Sequence, residues 1–312
     1  ILFITTFGRV YSLKGYEIPD AGRTAKGIAI VNLLQLQPDE KVATMIPITG
    51  FEDGKYLVIA TKSGIIKKTE LKAYSNMRKG GLIAVDLRDG DELINAHLVD
   101  EGQDIMIATR KGMSIRFSEK DVRSTGRDSI GVKGITLRDE DYVIGMDICK
   151  PGDSILIVTE KGFGKRTDVE EYRPQTRGGK GLLTYKISDK TGELVGMMMV
   201  NDDKDIMMIT TEGVIIRIHA EDINIIGRNT SGVRLMRTTD TNLIVSCAKT
   251  DKEEDVLDEV AEVLTEGEGE AESEAEIDSE VIVSDTAEPT ANDNDGPDYE
   301  AGKDILNKLD IE

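Results

Sequence analysis

The stretch Asp104–Phe117, DIMIATRKGMSIRF, decides the fold. A run of branched and apolar residues climbs to a polar turn, Gly112 closes that turn, and a second β-rich run leaves it. Glycine supplies the positive φ that a tight hairpin requires, and Ile, Thr and Phe suit a pleated flank. The same form returns in Leu2–Lys14 (LFITTFGRVYSLK), Tyr56–Thr69 (YLVIATKSGIIKKT), Ser154–Thr167 (SILIVTEKGFGKRT) and Asp205–Ile218 (DIMMITTEGVIIRI). The turn glycines Gly8, Gly64, Gly112, Gly162 and Gly213 stand 56, 48, 50 and 51 residues apart.

Each hairpin is followed by a polar, glycine-bearing loop and then by two more strand-like runs, such as Leu82–Leu87 and Leu93–Val99 around Arg88–Asp91. Four-stranded units repeated at this period read as propeller-type blades, whose radial packing leaves few exposed edges. Alternation and β-branched residues dominate and no helical stripe persists, so helical repeats are a poor alternative. The expectation is an all-β, propeller-like body of five repeats over residues 1–250. Strand pairing within it is left open.

Charge divides the chain at the same place. The formal net charge is −20, but residues 251–312 alone hold 24 Asp and Glu against three Lys. The body is therefore close to neutral, and the segment carries the excess. Its composition predicts that 251–312 is largely disordered, and its charge suggests a tail that opposes binding of a polyanion to the body. Cys149 and Cys247 are far apart in sequence; a reduced pair is the simple reading and one disulfide the alternative. No apolar run approaches the ~20 residues that span a bilayer, and no signal peptide is visible. The chain opens on Ile1 inside a strand-like run with no initiator Met, which suggests a piece of something longer.

Enzyme signatures are sparse. His97 and His219 fall in separate strand-like runs and read as partly exposed strand residues. The Gly178–Gly181 run resembles a phosphate loop, but Pro174 stands where that motif needs Gly and Gly181 where it needs Ser or Thr.

The cations are more informative. Four residues after the turn glycine stand Ser12, Lys68, Arg116, Arg166 and Arg217, and this recurrence predicts one shared face or rim. The loops add Arg23 and Lys26, then Arg78 and Lys79, then Arg123, Arg127 and Lys133. Further along come Arg173, Gln175, Arg177 and Lys180, with Gly178, Gly179 and Gly181, and finally Arg228 and Arg234. Small glycines beside cations let a phosphate backbone approach and bare main-chain N–H donors. Edge Lys and Arg also serve simply to block strand pairing; repetition at fixed blade positions favours a polyanion site. The loops contain almost no aromatic side chains for stacking single strands, so double-stranded DNA is the partner expected.

Arg173–Gly181, RPQTRGGKG, resembles the QRRGGKG box of the C-terminal domain of the DNA gyrase A family, with Thr176 in place of one Arg. Gly8–Ser12 (GRVYS), Ile30–Leu34 (IVNLL) and Ile226–Val233 (IGRNTSGV) are similar to that family in the same order, so the resemblance covers about residues 1–250. It implies a β-pinwheel that wraps DNA with a positive sense, within a bacterial type IIA topoisomerase that uses ATP to introduce negative supercoils. It also implies that this chain carries no cofactor or catalytic site. ATP and Mg²⁺ would belong to the remainder of an A2B2 holoenzyme, built from the gyrase A breakage-reunion region and gyrase B, in the bacterial cytoplasm with the nucleoid. In the family the box belongs to the first of six blades, whereas here it falls in the fourth repeat. The resemblance therefore implies a further blade upstream, with 175–181 the matching loop of a later one. The alternatives are the corresponding domain of topoisomerase IV and a propeller-type protein scaffold.

Overall fold

The structure is a computed structural model that describes residues 1–22 and 24–253; Arg23 and most of the acidic tail, 254–312, lie outside the described residues. Its regular elements are strands and short 3-10 turns. The first repeat contributes β1 (Leu2–Thr5), β2 (Arg9–Ser12) and β3 (Val42–Ile46). The second forms β4 (Tyr56–Thr61), β5 (Ile65–Glu70), β6 (Leu82–Ile83) and β7 (Leu93–Val99). In the third come β8 (Asp104–Thr109), β9 (Met113–Ser118), β10 (Val132–Lys133) and β11 (Val143–Cys149). The fourth supplies β12 (Ser154–Thr159), β13 (Phe163–Asp168), β14 (Leu182–Leu183) and β15 (Leu194–Val200). The last has β16 (Lys204–Thr210), β17 (Ile215–His219), β18 (Val233–Arg234) and β19 (Ile244–Asp251).

The five expected blades are present, but the sheets are built across repeats. Their orders are β3-β1-β2-β6, β7-β4-β5-β10, β11-β8-β9-β14, β15-β12-β13-β18 and β19-β16-β17. The two strand-like runs after each loop do not pair with each other. Leu82 and Ile83 instead lie opposite Val10 and Arg9 of the preceding repeat, while Ala96 in β7 lies opposite Ile59 in β4. A glycine makes this crossover possible each time. Gly181 has φ +74°, and a Cβ on it would stand 2.3 Å from the Ser114 carbonyl oxygen; Gly232, at φ +69°, would put one 2.4 Å from that of Gly164. Only a residue with no side chain and access to positive φ fits there. The last sheet has three strands among the described residues, with β17 at its edge.

The strands β3, β7, β11, β15 and β19 pack on one another in succession. One edge of every sheet therefore gathers at the centre, and the donated strand forms the outer edge. The core lies between neighbouring blades. Val58 and Ile66 pack with Ile105, Ile107 and Ile115, and Met106 and Ala108 with Ile155, Ile157 and Tyr185. Sheets covered on both faces require continuous apolar strands, which explains runs such as Leu57–Ala60. Each large aliphatic side chain so buried contributes about 2 kcal/mol. A threonine three residues before each turn glycine caps the hairpin, as where the Thr159 hydroxyl accepts the Phe163 N–H at 3.1 Å. The expected boundary at residue 250 moves slightly outward: β19 runs through Asp251, and the Glu253 N–H donates to Asp205 at 3.1 Å.

Candidate nucleic-acid interface

The cations four residues after the turn glycine do not form a rim. Lys68 is 8% and Arg166 5% exposed. Lys68 Nζ lies 2.5 Å from the Glu119 carboxylate of the next repeat. Burial pushes the Glu119 carboxyl up, but the Gly102 N–H and the Lys68 ammonium outweigh it and hold it below its ordinary value. Arg116 pairs with Asp104 at 2.8 Å and donates to the Val169 carbonyl at 3.0 Å. Arg166 donates to the Ile223 carbonyl at 2.8 Å and pairs with Asp202 at 2.5 Å. Arg217 pairs with Asp205 at 2.7 Å and also with Glu253. The recurrence is real but structural. In the three middle repeats the cation clasps the repeat that follows, because β5, β9 and β13 are covered on both faces and leave long side chains no outward direction.

The loop cations behave differently. Lys26, Arg78, Lys79, Arg123, Lys133, Arg173, Lys180 and Arg234 are all exposed. None of them forms an ion pair among the described residues. Lys133 and Arg234 sit on the donated strands β10 and β18, and Arg78, Lys79 and Lys180 immediately precede β6 and β14. They therefore occupy the outer edge. Arg234 lies over the Phe163 ring, 5.1 Å from its centroid. Arg78 and Arg127 border one open cleft of about 420 Å³ with Arg9.

Hydrogen bonds join these loops from blade to blade. Asp86 N–H donates to Ser129 (3.2 Å), Thr136 N–H to Gly179 (2.8 Å) and Lys186 N–H to Thr230 (3.0 Å). Arg177 donates to the Asp121 and Lys133 carbonyls at 2.7 and 3.1 Å, and Arg228 to the Leu183 carbonyl at 2.9 Å. Arg177 and Arg228 are thus ties between successive loops. The glycines also have another role than the one expected of them. Gly181 is bare because the preceding blade passes against it, and Gly178 N–H is taken by the Gly134 carbonyl at 2.6 Å. Gln175 N–H docks on the Arg116 carbonyl at 2.8 Å, and the residue is half-buried. Of the cations in the box-like segment, Arg173 and Lys180 remain exposed.

Three features escaped the sequence reading. Lys67 and Lys165, at 1% and 0% exposure, sit beneath the loops. Exposed Arg88, Arg138 and Arg237 recur just beyond the donated strands, and that recurrence was the signal that could have found them. At the centre, Asp147 meets Lys249 at 2.7 Å, the Met199 N–H at 2.9 Å and His97 at 3.6 Å, so one carboxylate ties four blades. His219 pairs with Asp205 at 2.7 Å. Both cysteines are free thiols pushed up to about 12 by burial.

The family model for the DNA gyrase C-terminal domain, beta-propeller, matches residues 1–49, 55–100, 103–150, 153–201 and 204–251, one match per repeat. The chain is 55% identical over 254 residues to the gyrase A protein of Clostridium acetobutylicum, covering 81% of this chain and 31% of that protein. Against gyrase A of Halalkalibacterium halodurans it is 54% identical over 259 residues, covering 83% of this chain and again 31% of the relative. The chain thus spans about a third of the length of these relatives. Among solved structures, the C-terminal domain of DNA topoisomerase IV superposes with TM-score 0.74 at 26% identity, covering 86% of this chain and 83% of that one. The DNA gyrase A C-terminal domain gives 0.69 at 28%, covering 80% and 81%. With every repeat matched in order, the chain belongs to the DNA gyrase C-terminal domain, beta-propeller family.

Proposed function

We propose that residues 1–250 bend duplex DNA along the outer edge of the blades, as the wrapping domain of a gyrase A protein. The observation that carries this reading is the row of exposed edge cations, without ion pairs among the described residues, on loops hydrogen-bonded to one another across consecutive blades. Phosphate contacts supply affinity without reading bases, and a curved cationic track favours sequences that bend easily. In the whole enzyme, the wrapped segment would be presented to the breakage-reunion region of the same polypeptide, with gyrase B supplying ATP turnover. Negative supercoiling then follows from the sense of the wrap.

Neutralising about eight phosphates gives a slope of roughly −7 in log affinity against log salt, a loss of about four decades between 50 and 200 mM. Filter binding with duplex DNA reads that slope; a flat profile defeats the proposal. The similarity to a topoisomerase IV domain favours a second reading, in which DNA is bound without a chiral wrap. Ligating nicked circles in the presence of the protein separates the two: a gyrase-type wrap shifts linking number, and the alternative leaves it unchanged.

A further inference from the structure

We infer that Lys67 and Lys165 are positioning residues for phosphate binding, each holding a basic loop from beneath so that its donors face outward. The inference rests on the proposed DNA track and assigns its anchors.

The two loops are built alike. Thr125–Ser129 reads TGRDS and Ile226–Thr230 reads IGRNT. Thr125 N–H docks on the Lys68 carbonyl and Ile226 N–H on that of Arg166, both at 2.9 Å. The Ser129 hydroxyl donates to the Gly126 carbonyl at 3.0 Å, as that of Thr230 does to Gly227 at 2.8 Å. Below each loop sits one ammonium. Lys67 Nζ donates to the Ala84 carbonyl at 2.6 Å and to that of Arg127. Lys165 Nζ donates to the carbonyls of Gly227 (2.7 Å) and Arg228 (2.5 Å) and to the Thr230 hydroxyl (3.1 Å).

These acceptors are all neutral, so the ammonium organises the loop and keeps its charge unneutralised. In a planar trans peptide the N–H points opposite to the C=O. Carbonyls drawn inward at Arg127, Gly227 and Arg228 therefore turn the N–H groups of Asp128, Arg228 and Asn229 outward. One of these already holds an anionic oxygen: Arg228 N–H donates to the Glu171 carboxylate at 2.9 Å. The box-like loop supplies the contrast within the same chain. There Ile115 takes the place of the lysine, Gly179 replaces the Ser or Thr, and the Ile115 Cδ1 stands 3.5 Å from the Cβ position of Gly179. Lysine occurs with a hydroxyl above it, and isoleucine with bare glycine.

Burial lowers both ammonium groups from 10.5 to about 8. Asp128 and Asp86 raise Lys67 while Arg127 lowers it; Glu171 raises Lys165 while Arg228 lowers it. The Tyr185 ring covers Lys165 at 5.5 Å. A neutral amine has two N–H groups for the three oxygens around Lys165, so the loop loosens as the proton leaves. Between the folded and unfolded values the unfolded chain binds more protons, so these groups add stability as pH rises through that window. Loss of DNA binding there is consequently not unfolding.

The test uses the full chain, a linear duplex at fixed ionic strength, and the variants Lys67→Met and Lys165→Met. Anisotropy of the wild type should show affinity falling severalfold from about pH 7 to about pH 9, with a midpoint near 8. Each variant should bind about tenfold more weakly at neutral pH with unchanged circular dichroism, and together they should abolish the pH step. Folded variants with wild-type affinity and an intact step overturn the inference. Should a variant fail to fold, hydrogen exchange of wild-type segments 126–130 and 227–231, corrected for intrinsic rate, decides instead. Protection must drop through the same midpoint, and constant protection rejects the role. If duplex binding is absent at every pH, the DNA track itself fails, while loop exchange still reports on the lysines.

Discussion

Glu119 shows how one side chain decides whether a neighbouring cation is structural. It is 3% exposed, accepts the Gly102 N–H at 2.9 Å and faces the Lys68 ammonium. Its carboxyl is held below the usual value, so it contributes stability that is present above about pH 4.5 and lost as pH falls through the depressed folded value. Glu119→Gln leaves a buried ammonium facing an amide. The expected loss is about 3 kcal/mol at neutral pH, and the variant should lose less stability than wild type as the pH is lowered to about 3. Urea titrations at both pH values check this; equal acid sensitivity would mean that the pair contributes nothing to acid unfolding.

Short donated strands are what bind one blade to the next, and the last sheet is described without one. Val214, leading into the edge strand β17, is 45% exposed, whereas the equivalent Ile65 and Phe163 are 6% and 8%. Amides of β17 should therefore exchange faster than those of β5 and β13, as segment-resolved hydrogen exchange would show; matching protection would mean that another element covers this edge. The hairpins themselves were legible because a turn glycine and branched flanks are local signals. Strand exchange was not: β6 spans Leu82–Ile83 and pairs with Val10 and Arg9, a partner that local patterning does not specify. The position of Lys68 and its equivalents was misjudged for a related reason. Alternation assigns an outward face only when a sheet has one, and a strand buried between blades has none, so Lys67 and Lys68 are both buried.

At the scale of the body, two populations of cations carry opposite consequences. Clasping residues such as Arg166 are matched by carbonyls and carboxylates of the body, so they cancel charge and hold blades together. Edge residues such as Lys133 and Lys180 are exposed and form no ion pair among the described residues, so cations gather at the outer edge although the body is nearly neutral. On the proposed function, counterions gathered along this edge are what a bound duplex would displace. The two classes are separable by experiment. Lys133→Gln or Lys180→Gln should make the salt slope of DNA binding shallower by about one unit each and shift unfolding by no more than about 0.5 kcal/mol. Arg166→Gln should do the reverse, lowering stability by about 2 kcal/mol while the slope holds. Paired measurements of salt slope and urea midpoint on the three variants check the division. If Arg166→Gln flattens the slope as Lys180→Gln does, the buried clasp lies on the DNA path, and the outer edge alone does not define the track.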